Sequence, residues 1–305
     1  MTFTAYKQGQ PMGNKVVVVM GATGTGKSRL AVDLATRFNA EIINSDKIQV
    51  YKGLDIITNK VTDGERRGVR HHLIGIIDPS GDFTAEDFVL RASLAADEII
   101  KRSQLPIIAG GSNSFIQALV DDAEFRSKYD CCFLWVDVSM PVLHSFVVNR
   151  VDQMVKGGLV AEAREFFEPN GDYSRGIRRA IGVPEMDEFF RKERFVDDEA
   201  RAKLLKAAID EIKENTCKLS CRQLEKILIM AEQLKWRIHR LDATQAFLRC
   251  GGDATDAWQS SVVEPSTMIL SNFLGGNDQI DSNSALGVTP QFSSNAISLA
   301  ITNNY

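Results

Sequence analysis

Apolar positions change character along the chain. Up to about residue 140, short β-branched runs alternate with amphipathic stretches. Val16-Val17-Val18-Val19-Met20 is an unbroken apolar run, the pattern of a strand covered on both faces. Behind it, Leu30, Leu34 and Phe38 recur every four residues and predict one buried helix face. Glu41–Asp46 predicts a second strand with a polar end, His71–Pro79 a third, Leu105–Ala109 a fourth and Cys132–Val138 a fifth. Thr84 with Asp87 three residues on predicts a helix start, and Phe88, Ala92, Ala95 and Ile99 its buried stripe. Strand and helix in alternation specify an α/β fold, a parallel sheet with helices on both faces.

Beyond Pro141 the pattern turns helical, with breaks at 169–176 and at Gly182-Val183-Pro184. A helix is expected over 200–213 and a last helical segment over 234–249, with Trp236 and His239; from 250 on, Gly, Ser, Asn, Asp and Thr dominate. The expected organisation is a flexible arm at 1–13, an α/β domain from 14–140 with 205–265, a helical substrate-binding lobe at 141–204 and a disordered tail at 275–305.

Composition narrows the class. The 305 residues are 44% hydrophobic and 25% charged, the balance of a soluble globular protein. A net charge of −4 removes any blanket attraction to nucleic acid or an anionic membrane and leaves a local basic groove open. No run approaches the roughly 18 apolar residues of a membrane helix, and residues 1–15 lack the apolar centre of a signal peptide. A monomer is expected, and a mature form whose transit peptide has gone stays open. The five cysteines include no CxxC pair; Cys217 and Cys221, one helical turn apart, read as reduced core residues. His71 and His72 are neighbours on a strand and face opposite ways, which argues for packing over shared metal ligation.

Between the first strand and first helix stands Gly21-Ala22-Thr23-Gly24-Thr25-Gly26-Lys27-Ser28, which fits the phosphate-loop pattern G-x-x-x-x-G-K-[ST] in its proper context. Gly21, Gly24 and Gly26 let the backbone turn so that its N–H groups, with Thr23 and Thr25, converge on an anion at a helix N-terminus. Lys27 adds a point charge, and the Ser28 hydroxyl is placed for Mg²⁺. Asp46, at the carboxyl end of the second strand, falls beside this loop; position alone leaves it open as a functional carboxylate or a turn cap. Lys218 and Arg222, four apart on one helix face, read either as a solvated basic edge or as a clamp for further phosphates.

Beyond these readings, the loop, Asn44 to Tyr51, Leu54-Asp55-Ile56 with Lys60, His71-His72-Leu73, Asp78-Pro79 and Ile108 to Ser112 stand in the order and spacing of the isopentenyltransferase family. The chain resembles that family over about 15–245. Asn113-Ser114-Phe115, Gly176 to Gly182 and Ile212 to Lys226 are similar to its plant adenylate branch, the cytokinin synthases. The resemblance implies a P-loop NTPase-like sheet with an appended helical lobe, and prenyl transfer from dimethylallyl diphosphate to the exocyclic amine of adenine in ATP or ADP, less well AMP. It implies Asp46 as base, Lys27 and Arg150 as catalytic cations, and Lys60 and Arg179 as further diphosphate ligands. Asn44, Ser45, Ser112 and Asn113 would meet the nucleotide, with Lys213, Asn215, Lys218 and Arg222 on its phosphates. The acidic chain has a short lobe and no zinc-finger spacing after it, so a free nucleotide rather than tRNA is the expected acceptor; a tRNA dimethylallyltransferase and a P-loop small-molecule kinase are the alternatives. The resemblance implies the plastid, for a form without its transit peptide, or the cytoplasm. Pro184, and Ser112-Asn113-Ser114 in place of Thr-Gly-Leu, depart from the tRNA-type pattern in the direction of the adenylate branch.

Overall fold

A computed structural model describes residues 14–232 and 236–275; the expected arm at 1–13 and the tail beyond 275 lie outside the described residues. Six strands form one sheet in the order β3-β2-β4-β1-β5-β6: β1 Lys15–Met20, β2 Ala40–Asn44, β3 His71–His72, β4 Leu105–Ala109, β5 Asp130–Asp137 and β6 Ile238–Asp242. Every pairing is parallel. In β1, Val16, Val18 and Met20 join the core on one face, and Val17 and Val19 the core on the other. All five are fully buried, at about 1.5–3 kcal/mol for each side chain removed from water.

The helix α1 (Lys27–Phe38) covers the Val17 face with Leu30 and Leu34; Phe38, the third position of the stripe, is half-buried. A single turn, α2 (Asp63–Arg66), precedes β3. On the opposite face lie α3 (Ala85–Lys101), α4 (Asn113–Asp121) and α5 (Ala123–Lys128). Thr84 and Asp87 form the expected capping box of α3. The connection leaving β1 therefore passes over one face and that leaving β4 over the other. Because β1 and β4 are neighbours, their loops open a crevice at the carboxyl ends of the strands.

The expected third strand, His71–Pro79, pairs only through His71 and His72, opposite Ile42 and Ile43. Leu73 then takes φ +62°, which no strand accommodates, and the chain turns away. His72 Nε2 lies 2.5 Å from Glu41 Oε2, whereas His71 Nδ1 meets the Val69 carbonyl at 2.9 Å, so the two rings have separate packing roles.

The lobe begins with α6 (Met140–Lys156) and α7 (Leu159–Glu165). It continues through 3₁₀ turns at Gly176–Arg179 and Pro184–Met186 into α8 (Asp187–Lys192). The expected helix at 200–213 is part of a longer one, α9 (Asp198–Glu232). The expected helical segment at 234–249 is instead β6 followed by α10 (Thr244–Leu248). Only Leu241 of β6 is buried, so this edge strand carries no β-branched run; pairing with β5 makes it a strand.

Beyond it, α11 (Gly251–Trp258), a π-helical turn at Gln259–Val263 and α12 (Glu264–Gly275) pack back onto the domain. Trp258 is 1% exposed and donates through Nε1 to Asp33 Oδ2 of α1 at 2.9 Å, while Arg67 holds the other Asp33 oxygen.

Candidate active site

The loop after β1 is roofed from two sides. Gly24 and Gly26 sit at φ +87° and +91°, where a side chain is strained. A Cβ on Gly24 would meet Val147 of α6 at 2.7 Å, and one on Gly26 would meet the Trp258 ring at 2.7 Å. The Ala22 carbonyl accepts both the Thr25 hydroxyl, at 2.9 Å, and Lys27 Nζ, at 2.7 Å, which folds the loop upon itself. Gly21 lies against the Val136 carbonyl, and Gly21 and Thr25 shape the loop from beneath rather than lining the space above it.

That space is a cavity of about 1080 Å³. Thr23, Gly24, Gly26, Lys27 and Ser28 line it from the loop, Asn44 and Asp46 from the end of β2, and Ser112 and Asn113 from the start of α4. Arg150 enters from α6, Arg179 from the first 3₁₀ turn and Arg222 from α9. Burial pushes the Lys27 ammonium down to about 8, Arg150 acts in the same direction, and Asp46 opposes them. Burial likewise lowers Arg150, whose Nη2 donates to the Thr23 hydroxyl at 2.9 Å. Arg150 Nε and Arg179 Nε are buried without a partner among the described residues. Uncompensated buried cations are costly, and here they converge on a cavity that an anion would fill.

Asp46 divides the work of its two oxygens. Oδ1 accepts the N–H groups of Ile48, at 2.9 Å, and Gln49, at 3.3 Å, as a turn cap does. Oδ2 takes part in neither bond and lies 3.6 Å from where a Cβ on Gly111 would sit. Glycine at 110 is required too, since a Cβ there would come within 2.5 Å of Ser45. Ser45 itself is 1% exposed behind Asp46, off the cavity wall, with its hydroxyl unpartnered among the described residues. Asn44 Oδ1 accepts the Asp46 N–H at 3.1 Å and so fixes the carboxylate's backbone.

Four expected site residues are turned elsewhere. Lys60 folds back into its own loop, giving its ammonium to the Gly53 carbonyl and to Asp55, 2.6 Å away. Lys213 pairs with Asp152 at 2.6 Å, Lys218 with Glu214 at 2.6 Å, and Asn215 donates to Glu185 at 2.8 Å. The cavity-facing stripe of α9 is Ile212, Thr216, Leu219, Gln223 and Lys226, with Arg222 at its edge. Lys213 and Lys218 fall off that stripe by the helical period. Of the neighbouring arginines, Arg178 is held by Glu168 and Arg179 faces the cavity.

Sequence reasoning passed over Lys47, Lys226, Gln223 and Trp258, which also line the cavity. Extending the period from Thr216 would have reached Gln223 and Lys226. Lys47 is lowered first by burial and then by Arg179, with Lys226 adding to the effect and Asp46 opposing it. Lys47, Arg179 and Lys226 thus crowd one another, and neither they nor Arg222, which shares the rim, is in an ion pair among the described residues. Apolar side chains, Met154, Leu159, Ile181 and Ile212 among them, line the wall as well.

The family model described as IPP transferase matches residues 49–128 and 122–226. Adenylate isopentenyltransferase 5, chloroplastic, of Arabidopsis thaliana is 62% identical over 269 residues, covering 87% of this chain and 82% of that protein. Adenylate isopentenyltransferase 7, mitochondrial, of the same plant is 53% identical over 270 residues, covering 87% and 82%. The structure of the full-length tRNA isopentenylpyrophosphate transferase from Bacillus halodurans superposes with a TM-score of 0.67 at 26% identity, over 86% of this chain and 99% of that one.

Proposed function

Because the chain belongs to the IPP transferase family, we propose that it is an adenylate dimethylallyltransferase of cytokinin biosynthesis. It moves the dimethylallyl group from dimethylallyl diphosphate to the exocyclic amine of the adenine of ATP or ADP, and less well of AMP. The amine lone pair forms the new N–C bond, the C–O bond to diphosphate breaks with its electron pair, and Asp46 takes the amine proton. The observation that carries this reading is one cavity holding both a free Asp46 oxygen and the loop cations Lys27 and Arg150. Loop N–H groups, Lys27 and Arg150 stabilise charge as it builds on the departing oxygens. The rim cations Lys47, Arg179, Arg222 and Lys226 suit the polyphosphate of the acceptor, and the apolar wall suits a prenyl tail.

Magnesium fits the donor set. Ser28 lines the cavity beside Lys27, and its hydroxyl would be one ligand. The ion would take its remaining ligands from substrate oxygens and water. When bound it would neutralise charge on the diphosphate. Relatives with chloroplastic and mitochondrial names favour an organelle, the plastid first. No described helix is long and apolar enough to cross a membrane.

The test offers dimethylallyl diphosphate and magnesium with ATP, ADP, AMP or tRNA and follows mass gain. Prenylated ATP and ADP are expected. Gain on tRNA alone reassigns the acceptor, and loss of the ATP γ-phosphate without prenylation points to a kinase.

Donor affinity carries a pH signature. With Lys27 at about 8, its charged form, which binds the diphosphate, is complete well below that pH and is lost above it. Calorimetric titration at several pH values is expected to give a flat affinity below pH ~7 and a fall approaching tenfold per unit above pH ~8.5. A flat profile to pH 10 would remove Lys27 from the donor site.

A further inference from the structure

Gln223 fastens α9 to both loops of the crevice. Its Oε1 accepts the Thr23 N–H at 2.7 Å, and its Nε2 donates to the Gly111 carbonyl at 2.8 Å. Its own carbonyl accepts Asn113 Nδ2 at 2.9 Å. The amide occupies a reserved place: a Cβ on Gly111 would come within 2.6 Å of Gln223 Nε2 and 3.6 Å of Asp46 Oδ2. The amide and the free carboxylate oxygen thus approach one spot that only glycine leaves open. Thr23, held by Gln223 through its backbone, is held by Arg150 through its hydroxyl.

We propose that Gln223 is a positioning residue for the transfer step, fixing Thr23 and the donor loop at a set distance from the free oxygen of Asp46. The inference rests on the prenyl-transfer reading above. Reacting atoms must meet within about 3–3.5 Å. Leaving group and base are carried by separate loops, after β1 and β2, strands that are joined in the sheet only through β4. Donor affinity comes chiefly from Lys27 and Arg150, so slackening the Gln223 bridge costs rate rather than binding. A packing role would instead register as lost stability.

Two variants separate these outcomes. Gln223→Met keeps the length and removes both side-chain bonds. Gln223→Glu keeps an acceptor for Thr23 and sets a carboxylate beside Asp46. Gln223→Met is expected to lower kcat by about 10- to 100-fold, with KM for both substrates within about threefold and the melting temperature nearly unchanged. Gln223→Glu, which keeps the tie to Thr23 and loses the donor to Gly111, is expected to retain more of kcat than Gln223→Met does. Wild-type kcat in folded Gln223→Met, or a Gln223→Glu kcat no higher than that of Gln223→Met, overturns the proposal; if Gln223→Met does not fold, an unimpaired kcat in Gln223→Glu overturns it. An inactive wild type removes the prenyl-transfer reading and this inference with it, whereas an active wild type beside an unimpaired Gln223→Met removes the inference alone.

Discussion

Asp46→Asn is expected to lower turnover by about 10²-fold or more while nucleotide binding and the melting temperature stay close to wild type. The reason lies in the division of labour between the two oxygens. Asparagine keeps a carbonyl oxygen that can accept from the Ile48 and Gln49 N–H groups, so the turn after β2 survives. What is lost is the anionic oxygen that faces Gly111. An adenine amine has its lone pair delocalised into the ring and needs a proton acceptor as the N–C bond forms; an amide cannot serve. Steady-state kinetics beside thermal melting distinguishes the two possible roles. Equal losses in melting temperature and in rate would make Asp46 a cap and nothing more.

Arg150→Ala is expected to cut kcat/KM for dimethylallyl diphosphate by about 10²–10³-fold, the scale of removing one preorganised donor to a developing anion. Its effect on stability should be small or even favourable. The guanidinium is bonded to the Thr23 hydroxyl, its Nε has no partner, and no carboxylate pairs with it among the described residues. A buried cation in that position costs desolvation energy that the free protein does not recover. Denaturant titration with and without inorganic diphosphate checks both halves. The wild type should gain stability from the anion, and the variant should gain little. A variant that melts far below the wild type without ligand would show that Arg150 supports the fold instead.

The central strands were legible because β1 and β4 are covered on both faces, which forces continuous apolar runs. The phosphate loop was legible because only glycine takes the backbone angles at positions 24 and 26. Edge elements were not. In β6 a single buried leucine leaves no alternation to read, and β3 stops where Leu73 turns left-handed. Which charges a nearby carboxylate would hold was not legible either. Lys60 goes to Asp55 and Lys218 to Glu214, pairs whose formation depends on side-chain geometry within a turn or helix. Lys213 goes to Asp152, across two helices. Lys47 and Lys226 converge on the cavity from the turn after β2 and from α9, a meeting that needs the tertiary structure. No local pattern announces Trp258, whose indole reaches an aspartate 225 residues away.

That indole has a consequence for synthesis on the ribosome. The glycine-rich turn leaves the exit tunnel early, with the strand that precedes it, but the ring that covers Gly26 emerges only after the whole lobe and the edge strand have been made. A nascent chain can thus acquire the sheet while the cover over Gly26 is still missing; that contact matures only when α11 closes on the turn after β1.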